Sequence, residues 1–301
     1  MNSKLLLIIA LGWCVVLSCG KSAEEVQVKP VDEKPKEVKD PVNVAPSNST
    51  GAVLSADGIT NTYTLINKIL GGSGDVLETP DCAHAAAGPH IRQVYDDFLK
   101  KYVFAFDIHV TPDNDRCLSS TDRQRNEIKT YDKSPDSLKA ALNENVEYSW
   151  KFKLDAAFKP SSNFTHLHQI KPIDGDADMP MITLTARYKA SGDQMELIHT
   201  AGEGKTTSLK YIASIPLSDF KGQWVEVTEK ITYSYNGKYE ILIKRLSDNK
   251  ELLSKKIADI DMWRDGTTLC RPKWGIYRSL LSPSMIRDEI VLFNDFKIRE
   301  Y

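Results

Sequence analysis

Apolar and polar residues alternate with a period of two through much of the chain, the pattern of strands with one face buried. In "NVEYSWKFKL", Val146, Tyr148, Trp150, Phe152 and Leu154 fall on one face, and Glu147, Ser149, Lys151 and Lys153 on the other. "MITLTARY" reads as a further strand, and "EIVLFNDFKIREY" as a closing strand that ties the C-terminus into a sheet. "ITYSYNGKYEILIKRL" reads as two strands around Asn236-Gly237, a dipeptide that accepts the positive φ of a tight hairpin. A helical period shows in two places. "HIRQVYDDFLKKY" sets Ile91, Val94, Tyr95, Phe98 and Tyr102 near one helical face. "SPDSLKAAL" offers Ser134 as an N-cap and Pro135 in the first turn. No internal repeat is visible. Closely spaced strands with few short helices predict an all-β domain, a two-sheet sandwich or jelly roll. In such a fold one sheet is often concave, and its outward residues line a cleft.

The N-terminus departs from this pattern. "MNSKLLLIIALGWCVVLSC" has one early lysine, an apolar run and small residues at its end. That is a secretory signal, too short and wrongly flanked for a membrane span. Val16-Leu17-Ser18-Cys19 with the following Gly20 resembles a bacterial lipobox, which implies lipidation of Cys19. An ordinary cleaved signal with a chance cysteine is the alternative. Residues 21–50 are rich in Lys, Glu, Val and Pro and hold no aromatic, so they cannot bury enough apolar area to offset their ordering entropy. The expected organisation is a lipoprotein signal peptide at 1–19, a disordered linker at 20–51 and one globular domain at 52–301. It implies the bacterial cell envelope, with membrane contact through the lipid.

The formal net charge of -2 excludes a general polycation for nucleic acid, and the domain is expected to be a monomer. Three cysteines fall in the domain. Export favours a disulfide between Cys82 and Cys117, across a segment read as one helix leading into one strand, with Cys270 left free. Three unpaired thiols remain the alternative.

Three strand segments carry polar residues that a plain sandwich does not need. In "DRQRNEIKTY", Arg123, Arg125, Glu127 and Lys129 share a face, with Ile128 opposite. In "FTHLHQIK", alternation puts His166 and His168 on one face and Gln169 and Lys171 on the other. In "KWGIYR", Lys273, Gly275 and Tyr277 share a face, with Trp274, Ile276 and Arg278 behind. A solvated face with cross-strand Arg–Glu pairs would account for the first segment alone. Side by side, the three would converge cations, histidine, glutamine and tyrosine on one surface.

These segments resemble, in order, the signature strands of the jelly-roll polysaccharide lyases. Arg125-Asn126-Glu127-Ile128 is similar to the Arg-x-Glu-Leu segment of the family 7 alginate lyases. Lys273-Trp274-Gly275-Ile276-Tyr277 matches their Lys-Ala-Gly-Val-Tyr strand in spacing and face. His168-Gln169-Ile170-Lys171 stands where they have Gln-Ile-His, with the histidines displaced upstream. Over nearly all of 80–301 the chain resembles more closely still the heparin-lyase-I-like and glucuronan-lyase-like group, family 20 and its relatives. The resemblance implies a concanavalin-like jelly roll that cuts an anionic, uronic-acid-containing polysaccharide by β-elimination.

That chemistry accounts for the residue types. The C5 proton beside a uronate carboxylate is removed only if the carboxylate charge is neutralised, which Arg, Gln or Lys can do. A base must take the proton, and an acid must protonate the departing C4 oxygen. Tyr277 is expected to be the acid, and to double as base if Lys273 lowers its pKa. His168 is the preferred base, with His166 second or in contact with substrate. Arg125 and Gln169 are expected at the carboxylate. His168 and Gln169 alternate, so only a bulge lets both enter a cleft. Lys273, Lys171, Lys129, Glu127 and Arg278 are substrate-binding candidates. The glycine at 275 would keep the sheet surface low for the sugar.

No cofactor is expected to be required. Asp174, Asp176 and Asp178 alternate in a turn and could supply oxygen ligands to a structural calcium, although a plain acidic turn is the favoured reading. No zinc, phosphate-loop or nucleophile-elbow pattern appears. His84, His90, His109 and His199 read as structural or surface residues. Two other function classes fit the fold: a non-catalytic, lectin-like binding module, and a glycoside hydrolase with two cleft carboxylates.

Overall fold

The computed structural model describes residues 51–118, 120–202 and 209–301. The expected signal, Cys19 and the expected linker up to residue 50 lie outside the described residues, and Gly51 already opens a strand. The described residues form fifteen strands and one α-helix. They are β1 (Gly51–Leu54), α1 (Thr62–Leu70), β2 (Leu77–Glu78), β3 (Ile91–Asp96), β4 (Lys101–Ile108), β5 (Arg123–Lys129), β6 (Asn145–Lys153) and β7 (Thr165–Pro172). Then come β8 (Ile182–Arg187), β9 (Gln194–Thr200), β10 (Leu209–Pro216), β11 (Trp224–Thr232), β12 (Gly237–Arg245), β13 (Glu251–Ile260), β14 (Cys270–Ser279) and β15 (Glu289–Glu300).

They pair antiparallel into two sheets. One has the order β13-β12-β11-β6-β15-β4-β3, with β1 also on β15. The other has the order β10-β9-β8-β7-β14-β5-β2. The facing sides interdigitate into one apolar core: Tyr148, Trp150 and Phe152 of β6 with Val225 and Val227 of β11, against Leu167 and Ile170 of β7 and Trp274 and Ile276 of β14. The alternation read in β6 is realised residue by residue, from Val146 to Phe152 inward. This is an all-β, two-sheet jelly roll. No helix among the described residues is long and apolar enough to cross a membrane.

Two predicted helices are absent. "HIRQVYDDFLKKY" is the β3–β4 hairpin, in register from Ile91 opposite Phe106 to Asp96 opposite Lys101. Its i, i+3, i+4 pattern is a coincidence of two strand faces, and the turn sits at Asp97–Lys100, where Lys100 takes φ 54°. β-branched and aromatic residues gain more from the sheet than from a helix. "SPDSLKAAL" holds a single 3-10 turn, Asp136–Leu138. The Ser134 hydroxyl does not cap it but donates to the Leu70 carbonyl at 2.7 Å. The helix that does form, α1, lies in a stretch without a strand period. Asn61 caps it by accepting from Thr64 N, and Gly71 ends it in the left-handed region. Cys82 and Cys117 are disulfide-bonded with Cα atoms 5.9 Å apart, across the β3–β4 hairpin rather than a helix and strand, and Cys270 is free and buried.

Candidate active site

Strands β7, β14 and β5 are neighbours, so the three polar segments lie side by side. Their registers make two rows. Tyr277 lies between His166 and Arg125, and Lys273 between Gln169 and Lys129. Between the rows the ladder slips: Gly275 and Ile276 face Leu167 alone, and Leu167 is itself extra against β8. A bulge turns successive side chains to the same face. Leu167 and His168 therefore both enter the core, and His166 and Gln169 both face the outer side of the sheet.

Gly275 sits where β14 and β5 press close together. Its φ is +146°, and a Cβ there would lie 2.2 Å from the Asn126 carbonyl oxygen. The glycine is required by the approach of β5, not by a sugar above it. Gly275→Ala should destabilise the protein by roughly 1–3 kcal/mol or more through overpacking. An unchanged melting temperature would refute this account of the bulge.

His168 is not in the cleft. Its ring stacks on Trp150 and Trp274, it is 1% exposed, and its nitrogens lie 2.9 Å from the Lys273 carbonyl and 2.9 Å from Glu229 Oε2. The role of base cannot fall to it, because the bulge rotates it inward. His166 takes the outward position instead. It stacks on Phe164 at 4.8 Å, its Nδ1 is buried without a partner, and its ring centroid is 5.8 Å from that of Tyr277. Burial pushes its pKa down to about 3, so the imidazole is neutral and able to accept a proton.

Tyr277 lies between two arginines. The Arg125 guanidinium covers its ring at 3.6 Å, and Arg123 Nη1 donates to its hydroxyl at 3.1 Å. Burial raises the phenol pKa, and the two arginines only partly offset it, so the hydroxyl keeps its proton. Lys273 does not lower it, since that ammonium is engaged elsewhere.

Below the cleft floor runs a closed network of charges. Lys273, 2% exposed, pairs with Glu78 and with Glu127 at 3.0 Å. Arg125 donates to Asp115 at 2.8 Å and to Glu127 at 2.6 Å, and Lys129 donates to Glu78 at 2.8 Å. Burial disfavours charge on Glu78 and Glu127, but Lys273 and Arg125 overcome it and hold both acids ionised. Lys273 and Glu127 are thus satisfied by each other, and Lys129 by Glu78, rather than available as substrate contacts. Arg278 is on the core side, bonded to Gln124 Oε1 at 2.6 Å and to the Arg287 carbonyl at 2.7 Å, and cannot touch substrate either. Arg125 reaches the cleft but is already shared among carboxylates. Gln169 donates to Glu127 Oε1 at 2.5 Å, which fixes the orientation of its amide.

Above that network is a cavity of about 420 Å³ lined by Arg123, Arg125, His166, Gln169, Lys171 and Tyr277, among others. Lys171 donates only to the Asp178 carbonyl, at 3.3 Å, and is paired with no carboxylate among the described residues. Burial, aided by Lys273, Arg125 and Arg271, pushes its pKa down to about 8. Among the described residues Asp178 is the single acid in the lining, so they supply no carboxylate pair of the kind a hydrolase uses. The Asp174 carboxylate accepts from Thr268, and the acidic turn forms no metal-ligand cluster among the described residues. Glu78 escaped sequence reading because β2 has two residues and no period. Phe164, Arg187 and Tyr211 also line the cavity; the aromatic ahead of "THLH" was the available signal for the first.

A jelly roll whose outer sheet face holds a neutral histidine, a protonated tyrosine and one lysine paired with no carboxylate among the described residues in a single cavity has the features of a carbohydrate-active enzyme. Residues 80–297 match the family model described as polysaccharide lyase, and the chain belongs to that family. It is a polysaccharide lyase. An endo-β-1,4-glucuronan lyase from the fungus Trichoderma reesei superposes with TM-score 0.50 at 13% identity, covering 69% of this chain and 86% of its own. A family 7 alginate lyase in complex with product gives TM-score 0.52 at 14% identity, over 75% and 94%. An alginate lyase mutant in complex with an alginate trisaccharide gives 0.52 at 11%, over 84% and 99%. At these identities the likeness is one of fold. No curated protein matches the sequence.

Proposed function

We propose that the enzyme cuts a uronic-acid-containing polysaccharide by β-elimination, with His166 as base and Tyr277 as acid. The observation that supports this most is the neutral imidazole of His166, its buried Nδ1 tied to no partner, lining the same cavity as Tyr277. His166 takes the C5 proton, the electron pair forms the C4–C5 double bond, the C4–O bond breaks, and Tyr277 gives its proton to the leaving oxygen. Gln169, held by Glu127, and the Lys171 ammonium receive the substrate carboxylate and stabilise the charge that builds on it. Arg123 and Arg125 keep Tyr277 in place, and their positive field eases release of its proton to the leaving oxygen.

The test is incubation of the purified protein with a panel of polyuronates, following ultraviolet absorbance of the conjugated double bond. New reducing ends without that absorbance would mean hydrolysis. Tight oligosaccharide binding with neither signal would mean a lectin-like module.

Lys171 gives the reading a pH signature. Its cation is present below about pH 8 and lost above it. KM for a polyuronate should therefore rise as pH passes through about 8, with kcat less affected. Lys171→Gln should raise KM at neutral pH and flatten that rise. A variant with unchanged KM would remove Lys171 from the carboxylate site.

A further inference from the structure

A second cluster of chemically capable side chains lies outside the cleft and takes no part in the elimination. His84 precedes a 3-10 turn, His90 directly precedes β3, His109 directly follows β4, and Asp113 lies in the segment that leads to Cys117. Three ring nitrogens point at one carboxylate. His84 Nδ1 is 3.0 Å and His90 Nε2 3.2 Å from Asp113 Oδ1, and His109 Nδ1 is 3.1 Å from Oδ2. One ligand atom from each of the four residues lies within 4.8 Å of all the others. The rings stand 4.7 to 5.6 Å apart, at steep angles to one another. None of the four lines the catalytic cavity.

We propose that His84, His90, His109 and Asp113 bind one divalent cation of the late first-row series, zinc above all. Three imidazoles and a carboxylate are the donors such an ion favours, in a tetrahedral shell, whereas calcium requires six to eight oxygens. The surroundings match a metal-binding histidine. The other nitrogen of His90, Nδ1, is 2.8 Å from Asp81, and Asp81 in turn accepts from Tyr63 at 2.7 Å. A carboxylate behind a ligating imidazole fixes its ring orientation and tautomer. The His90 and Asp113 side chains are fully buried, while His84 and His109 are 23% and 29% exposed, so the cluster is anchored on one side and open to entering ions on the other.

With all four positions filled by protein, the ion is structural. It joins the two ends of the β3–β4 hairpin to the disulfide-bonded segment. That segment also carries Asp115, which pairs with Arg125 beneath Tyr277. The ion would thereby steady one wall of the catalytic charge network without touching substrate.

The experiment uses the full chain, stripped with a chelator and reloaded with zinc chloride or cobalt chloride. Expected are one ion per chain by elemental analysis, visible absorption of a tetrahedral cobalt complex, and a higher melting temperature with zinc. His84→Ala combined with His109→Ala removes the two exposed ligands. It should abolish stoichiometric uptake and the cobalt spectrum, while melting like the chelated wild type. The single variant His109→Gln should weaken uptake and alter the spectrum if the pair folds poorly. Absence of stoichiometric uptake would overturn the proposal and leave an ion-pair network of histidines around Asp113. Uptake unchanged in either variant would overturn it too, by placing the ion elsewhere.

Discussion

Replacing Tyr277 by phenylalanine leaves a folded protein that still binds oligosaccharide but turns over roughly 10²–10⁴-fold more slowly. The substitution removes one oxygen. The ring keeps its place under Arg125 and beside Phe164, whose ring centroid is 5.0 Å away. Arg123 loses a single hydrogen bond and retains both contacts to Asp122. The stability change is that of one part-buried hydrogen bond, about 0.5–1.5 kcal/mol. What disappears is the proton donor to the leaving oxygen, because no other phenol or carboxylic acid shares the row with His166. Stopped assays with the polyuronate that the wild type cuts measure this directly. Full activity in the variant would show that the acid is another group. A large fall in melting temperature would show that the hydroxyl serves the fold.

The two histidines of β7 should separate cleanly. His166→Gln should lose activity to a similar degree and keep its melting temperature, since Nδ1 of His166 bonds to nothing. His168→Gln should do the reverse. It strips a stacked ring from between Trp150 and Trp274 and leaves Glu229, fully buried, with Tyr239 as its remaining hydroxyl partner. A buried group deprived of its partner costs about 1–3 kcal/mol, more when charged. The pH profile adds a check on His166. Burial lowers its pKa to about 3, so the base is lost only as pH falls through that region. The acid limb of kcat/KM should lie well below the ordinary histidine value. If His168→Gln is stable and inactive while His166→Gln is active, the face assignment is inverted.

Much of this was legible in the alternation of side chains. β6, β8, β14 and β15 were read as strands from their apolar and polar patterning; β6 buries every second residue as the pattern requires, whereas β8 and β14 bury both faces. The three polar strands stood out because charged residues on a sheet face beside buried tryptophan need a reason. Which histidine faces the cavity was not legible. It depends on one unpaired residue, Leu167, and a bulge leaves no mark in the strand that carries it beyond a glycine on the neighbour. The hairpin at 91–108 misled for a related reason: within residues 90–102 a short strand, a turn and the first two residues of the next strand mimic a helical face. The charge network beneath the cavity was half hidden because Glu78 and Asp115 come from segments too short or irregular to show a period.

The buried charges beneath the cleft have a consequence for how this enzyme should be dissected. Glu78, Asp115 and Glu127 are each tied to more than one cation, so neutralising any single member strands an opposite charge where water cannot reach it. Point substitutions there would abolish activity by unfolding or rearranging the floor, and a mutational scan would misread structural members as catalysts. Over evolutionary time the same coupling forbids drift one residue at a time. A lineage could exchange these positions only in compensating sets, so the network ought to be inherited as a block while the rim of the cleft, where the polymer is chosen, varies freely around it.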